Sequence, residues 1–144
     1  MYQQVVEEIK LENNIEIIID EILDLRCNDN FFEAYQLSLK LIDKHYDLFN
    51  FYIASELAIE LNEFYSAIDL CTKLIQASLE QNDSWYLSVA FLLRAYSYAK
   101  IGNSEGALAD LNMQILKEDS DESVFWLQNH DVITIDTVKS LIKK

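Results

Sequence analysis

Apolar residues recur along this chain at steps of three and four positions, the spacing that places side chains on one face of an α-helix. Three such stripes each begin with an alanine that follows a short polar turn. The stripes are Ala34, Leu37, Leu41 and Ile42; Ala67, Leu70, Cys71, Leu74 and Ile75; and Ala107, Leu108, Leu111 and Ile115. Each stripe predicts an amphipathic helix whose apolar face packs against another part of the chain.

Another apolar stretch precedes each of these helices, with short turns that each contain asparagine expected at residues 28–30, 61–63 and 101–103. The pattern therefore predicts antiparallel helix pairs over residues 14–46, 47–82 and 85–118. An alanine near each turn suits this arrangement. Two helices with a short connection approach closely there, and a larger side chain would hold them apart.

The stretch from Tyr98 to Leu108, which reads YAKIGNSEGAL, is the clearest instance of this pattern. It resembles the tetratricopeptide repeat family, whose units combine a bulky–small–aromatic first helix, a turn and an alanine in the second helix. The resemblance covers residues 14–118. It implies a stack of helix pairs in which the first helices line a concave groove. Glu21 and Arg94 depart from it, since the family prefers leucine at these positions.

The spacing of the repeats and the missing prolines are further departures. Ala34 and Ala67 are 33 residues apart, whereas Ala67 and Ala107 are 40 apart. The family repeat has about 34 residues. The second interval is therefore about six residues longer than the family repeat, and we expect these additional residues in a longer helix and loop around residues 79–84. The proline that usually ends a repeat is absent.

Both ends of the chain are expected to be helical and to cap the stack. Residues 3–12 predict a helix that runs toward Asn13 and Asn14. A C-terminal cap over residues 119–144 is expected to begin with a helix at the acidic residues Asp119–Glu122, because carboxylates favour helix N termini. A last short helix is expected from Asp136. The predicted fold class is all-α, with three tetratricopeptide-like antiparallel pairs and two caps in a single domain over residues 1–144.

Composition narrows the class of partner. The net charge is −14. The chain has no proline and two glycines, and this scarcity of turn residues argues against a sheet protein. Nucleic acid and anionic membranes would be repelled, whereas a basic protein would be attracted. The same acidity could equally serve solubility.

No long uncharged apolar run or leader pattern is present, and Cys27 and Cys71 read as reduced thiols, so we expect a cytoplasmic protein.

The sequence offers few groups for catalysis. His45 and His130 are far apart and have no companion at a metal-ligand spacing. Neighbouring carboxylates such as Asp20 and Glu21 point about 100° apart on a helix and do not converge on one atom. We therefore expect no enzyme activity, no metal and no cofactor.

The resemblance places a partner-binding groove on the first helices. Its expected lining mixes carboxylates, tyrosines and aliphatic residues: Glu16, Ile19, Asp20, Leu23, Tyr52, Glu56, Glu60, Leu92, Tyr96 and Lys100. Such a lining suits a partner that carries lysines, arginines and some apolar surface. The alternative, that some of the tyrosines only pack against the terminal helices, is left open by the sequence.

The leading hypothesis is a protein-binding function. Size, acidity and the lack of catalytic groups make the chain look like an immunity protein of a bacterial contact-dependent toxin–immunity system. Such a protein would bind and neutralise a basic toxin, for example a nuclease. The alternative is a tetratricopeptide-type secretion chaperone, or an adaptor, that holds a peptide in its groove. The sequence does not identify the partner or the oligomeric state.

Overall fold

The computed structural model describes residues 2–118 and 132–142, with side chains described for residues 14–116 and 132–142. Regular structure in these ranges is helical, which confirms the all-α prediction for them. The helices are α1 (Tyr2–Cys27), α2 (Phe31–Lys44), α3 (Leu48–Glu60), α4 (Phe64–Gln81), α5 (Ser84–Lys100), α6 (Ser104–Leu111), α7 (Gln114–Glu118) and α8 (Ile135–Ile142).

The turns lie where the sequence predicts them, and they share one geometry. Asp29, Asn62 and Gly102 each have a positive φ of 61–82°, the left-handed conformation that Asp, Asn and Gly tolerate best. In each turn the next residue donates its N–H to the carbonyl five residues earlier, at 2.8 Å. This is the Schellman ending of a helix. Asn82, with φ 56°, ends α4 in the same way.

Consecutive helices pack against each other from α1 through α6, and α3 also packs against α5. As a result α3 is buried around nearly its whole circumference, and only Phe49 and Tyr52 on it are partly exposed. A helix with apolar residues on every side is expected to be enclosed in this way. Ala54 and Ala58, both 0% exposed, allow the neighbouring helices to approach α3 closely.

Arg94 joins three helices, which explains a polar residue at this inner position. Its Nε and Nη2 donate to the two carboxylate oxygens of Asp110 on α6, at 2.8 and 2.7 Å, and its Nη1 donates to Thr72 on α4. The hydrogen bonds to Asp110 raise the pKa of Arg94. Burial raises the pKa of the Asp110 carboxyl even though the guanidinium opposes this. The ion pair of Arg94 and Asp110 therefore fixes the position of α5 relative to α6 more than it adds to the free energy of unfolding.

Two predicted boundaries are wrong. A single helix, α1, runs through Asn13 and Asn14, because asparagine costs less than about 1 kcal/mol in a helix interior and does not end one by itself. The third return helix ends at Leu111, and α7 follows after a break at residues 112–113. Leu108, expected on the apolar stripe, is 43% exposed.

The additional residues between the second and third alanines lie in helices. Helices α4 and α5 have 18 and 17 residues, whereas α2 and α3 have 14 and 13. Each is thus about one turn longer than its counterpart. The linker between them is only Asn82 and Asp83, so the expected longer loop is wrong.

The C-terminal helices cover the last pair. Helix α7 packs against α5, and α8 packs against both α5 and α6. Val138 on α8 is fully buried. Helix α8 begins at Ile135, one residue before the predicted start. The helix expected from Asp119 lies outside the described residues.

A substitution at Gly106 tests the close approach of α5 and α6. A Cβ at this position would lie 2.9–3.0 Å from three carbons of the Tyr98 ring. We expect Gly106→Ala to lower the free energy of unfolding by about 1–2 kcal/mol, because overpacking outweighs the gain in helix propensity. In a Tyr98→Ala background the same change should instead raise it by up to about 1 kcal/mol. Urea unfolding of the four proteins measures both effects, and equal effects in the two backgrounds would contradict the packing.

Candidate protein-binding surface

The predicted contact residues on α1 share one helical face. Glu16 and Asp20 are exposed, and Ile19 and Leu23 are partly buried. Arg26 continues this face at the helical spacing of three and four residues. The structure therefore keeps the α1 residues together and leaves both carboxylates open to solvent.

Arg26 connects α1 to α3. Its Nη2 donates to Glu56 Oε2 at 2.8 Å, where the Glu56 side chain is 5% exposed and that of Arg26 is 26% exposed. Burial raises the pKa of Tyr52, and the negative charge of Glu56 and a hydrogen bond to that carboxylate raise it further. A carboxylate this buried needs a cation close by. Arg26 supplies that cation.

Aromatic rings continue the surface from α3 to α5. The Tyr52 ring meets Trp85 and Tyr86 edge-on, with centroids 5.7 and 5.8 Å away, and lies 6.4 Å from Phe49. Trp85 and Tyr86 are 4.9 Å apart at an interplanar angle of 81°. Trp85 is 56% exposed. These four residues form what we call the aromatic cluster, at the N-terminal ends of α3 and α5.

Two carboxylates border the aromatic cluster. Asp83 caps α5, because its Oδ1 accepts the Tyr86 N–H at 3.0 Å. Asp47 holds the N-cap position of α3 in an extended conformation, yet its side chain makes no capping hydrogen bond. The pKa of Tyr86 is raised by burial and then by the negative charges of Asp47 and Asp83. An exposed ring system thus lies in a negative environment.

Four of the predicted groove residues are buried: Glu56, Glu60, Leu92 and Tyr96, at 4%, 3%, 0% and 3% exposed. The reason is packing, since α3 and α5 have the most neighbouring helices within the described part of the chain. Their assignment to an open groove is corrected accordingly, because a partner cannot touch them while this packing persists. Lys100 is exposed, with its Nζ 5.6 Å from the centroid of the Tyr96 ring. The accessible predicted residues are therefore Glu16, Ile19, Asp20, Leu23, Tyr52 and Lys100.

Sequence reasoning missed most of the aromatic cluster and both flanking carboxylates. A signal was present, because Trp85 lies seven residues before Leu92 and so shares its helical face. The adjacent Asn82 and Asp83 also mark a helix start, where side chains of the first turn are less covered than those further along.

Candidate metal-binding groups do not converge within the described residues. There, no three His, Cys, Asp or Glu side chains lie close enough together to hold a metal ion. His45 caps the C terminus of α2 through its backbone N–H, and His130 lies outside the described ranges. Both cysteines are free thiols, and burial raises the pKa of Cys71 to about 12. In the same part of the chain, no helix combines the length and apolar character that a membrane crossing requires.

Comparison of the chain with protein-family models, with curated proteins and with solved structures gave no match.

The ion pair between α1 and α3 leads to a stability prediction. Arg26→Met should lower the free energy of unfolding by about 2–3 kcal/mol, because it leaves the buried Glu56 carboxylate without its cation. The double variant Arg26→Met/Glu56→Met should recover most of this loss, since it removes the buried charge as well. Urea unfolding followed by circular dichroism compares them. A loss below about 0.5 kcal/mol in the single variant would show that the pair is not a structural link.

The buried thiol of Cys71 leads to a prediction about how the free energy of unfolding depends on pH. Its pKa is raised from 9.0 to about 12 by burial, an effect that the neighbouring Ser55 hydroxyl and Arg94 guanidinium partly oppose. Between these values the unfolded chain loses the thiol proton while the folded chain keeps it, so stability falls as the pH rises. The loss is about 4 kcal/mol across the window and is absent below pH 9.

Cys71→Ala should remove this part of the alkaline dependence, as measured by urea unfolding between pH 8 and 11. Cys27→Ala is the matched control, because Cys27 is exposed, and it should keep the wild-type dependence. Identical pH dependences in all three proteins would contradict the assignment.

Proposed function

We propose that this protein is a non-catalytic binding module that holds a basic protein partner against the face formed by α1 and the first turns of α3 and α5. The observation that carries the proposal is an exposed tryptophan, Trp85, packed on two tyrosines and bordered by Asp47 and Asp83. Aromatic side chains are the commonest anchors of protein interfaces. Carboxylates beside them favour a cationic partner.

The proposed finer architecture is a stack of three tetratricopeptide-like pairs: α1–α2, α3–α4 and α5–α6. The packing of consecutive helices and the shared Schellman turn within each pair support it. Helices α7 and α8 then form the C-terminal cap. In this arrangement α1, α3 and α5 lie side by side, which is the geometry that a binding face across them needs.

The specific function we favour is that of a cytoplasmic immunity protein, which binds and neutralises a basic toxin of a bacterial contact-dependent system. A toxin that acts on nucleic acid needs a basic surface to meet phosphates. A carboxylate-rich protein with a net charge of −14 complements such a surface and is steered toward it over long range. Binding would then cover the toxin without any chemistry by the inhibitor.

A peptide-binding chaperone or adaptor is the alternative. It would require an open groove along α3 and α5. The burial of Leu92 and Tyr96 argues against such a groove in the described structure. Capture of an extended peptide whose binding depends on these two residues would favour the alternative.

Charge reversal on α1 tests the proposal. After affinity capture from the source cells identifies the partner, its purified toxin domain is assayed with and without this protein. We expect stoichiometric inhibition by the wild type. Glu16→Lys/Asp20→Lys should weaken affinity by about tenfold at low salt and reduce its salt dependence, because two exposed carboxylates of the surface are inverted.

The matched control is Asp43→Lys/Asp69→Lys, which makes the same charge change at exposed positions on α2 and α4. All four residues are exposed, so stability should change by less than about 1 kcal/mol. We expect the control to weaken binding much less. Equal weakening by the two variants would mean that only bulk charge matters, and the proposed face would be wrong.

A further inference from the structure

We infer that Trp85 is the anchoring point of this surface and that it receives an arginine side chain of the partner. The inference rests on the proposed function and adds to it the chemistry of the contact. It is carried by three features of the described residues: the support of the Trp85 ring, the charge around it and the availability of hydrogen-bond acceptors.

The Trp85 ring is held in place on the protein side. Tyr52 and Tyr86 both meet it edge-on, at 5.7 and 4.9 Å and at interplanar angles of 72° and 81°. Edge-to-face pairs of this kind are favourable beyond the area they bury. More than half of the residue nevertheless stays exposed. A rigid and accessible indole needs little ordering on binding, which is what makes an aromatic residue an anchor.

Two other aromatic residues on the surface are more exposed but lack this setting. Phe32 and Tyr65 are 64% and 74% exposed. Within the described part of the chain, neither has another ring in contact. Both lie on return helices, away from Tyr52. Tyr46 is 55% exposed and meets a single ring, that of Phe51, edge-on at 4.9 Å. Trp85 differs from these three residues because two rings support it and because Asp83 caps the helix on which it lies.

The charge at the aromatic cluster is negative after the helix dipoles are counted. Each helix N terminus contributes about half a positive charge, so α3 and α5 together contribute about one. Asp47 and Asp83 contribute two negative charges, since Asp83 accepts the Tyr86 N–H at 3.0 Å and Asp47 holds the N-cap position of α3, next to the first turn that carries Phe49. The nearby cation Arg26 is paired with Glu56. A cation would thus be attracted to the exposed ring.

Arginine fits this setting better than lysine. A planar guanidinium can stack on the indole and still direct N–H groups at carboxylates in its own plane, whereas an ammonium is a compact and strongly hydrated charge. The acceptors are available, because Asp47 makes no capping bond and Asp83 uses only Oδ1 for its cap. The occupant is therefore an arginine on a basic partner surface.

Short peptides with blocked termini test the preference for arginine over lysine directly. The probes are fluorescein-labelled peptides with four arginines or four lysines separated by glycines, and a glycine–serine peptide of equal length. Binding to the full chain is followed by fluorescence anisotropy at low salt. We expect the arginine peptide to bind about fivefold more tightly than the lysine peptide, the ratio that corresponds to a cation–π advantage of about 1 kcal/mol. The neutral peptide should not bind.

The variants separate stacking from charge. Trp85→Ala should bring the arginine peptide down to the affinity of the lysine peptide, and Trp85→Phe should keep part of the difference. Asp83→Asn should weaken both peptides, because it removes the charge but keeps an acceptor for the cap. Tyr65→Ala, another exposed aromatic residue, is the control and should bind both as the wild type does. Thermal unfolding confirms that each variant is folded.

The outcomes distinguish this inference from the proposed function. Equal binding of both basic peptides, weakened by Glu16→Lys/Asp20→Lys but not by Trp85→Ala, would overturn the arginine site and leave the acidic binding face standing. Failure of both basic peptides to bind better than the neutral one would overturn the two together. A loss of arginine preference confined to the Trp85 variants would support the inference.

Discussion

The enclosure of α3 is the constraint on which the rest of this structure depends. This helix packs against α2, α4 and α5, and only two of its side chains reach solvent in part. Its apolar residues supply the burial that a chain of this size requires. Enclosure also draws Glu56 inside, and its buried carboxylate is stabilised by the ion pair with Arg26. Helix α3 is thus linked to α1 through Arg26 and packs directly on α5, so the core and the candidate site share a cause.

The turns explain how the helices come to lie beside one another. A left-handed residue at the end of α1, α3, α4 and α5 reverses the chain within two or three residues. Asp29, Asn62 and Asn82 adopt this conformation at a modest cost, and Gly102 at none. Because the turns are so short, antiparallel contact between consecutive helices follows almost directly. Trp85, at the start of α5, lies directly after such a turn.

Much of the fold could be predicted from the sequence, because helical periodicity and turn residues are local signals. The turns after α1, α3 and α5 lie where they were expected. Burial was harder to foresee, since periodicity shows which residues share a face but not what covers that face. Leu92 and Tyr96 share a helical face with Trp85, yet they are buried and Trp85 is exposed. The helix break after Leu111 was also hard to predict, because neither glycine nor proline marks it in the sequence.

The central claim is that a basic partner docks on α1 and on the first turns of α3 and α5. Backbone hydrogen exchange of the complex with the captured partner, compared with the free chain, tests it most directly. The account predicts slower exchange at residues 14–27, 47–53 and 83–88, with residues 31–44 and 64–75 unchanged. Slower exchange confined to α2 and α4, with the first turns of α3 and α5 unaffected, would contradict it.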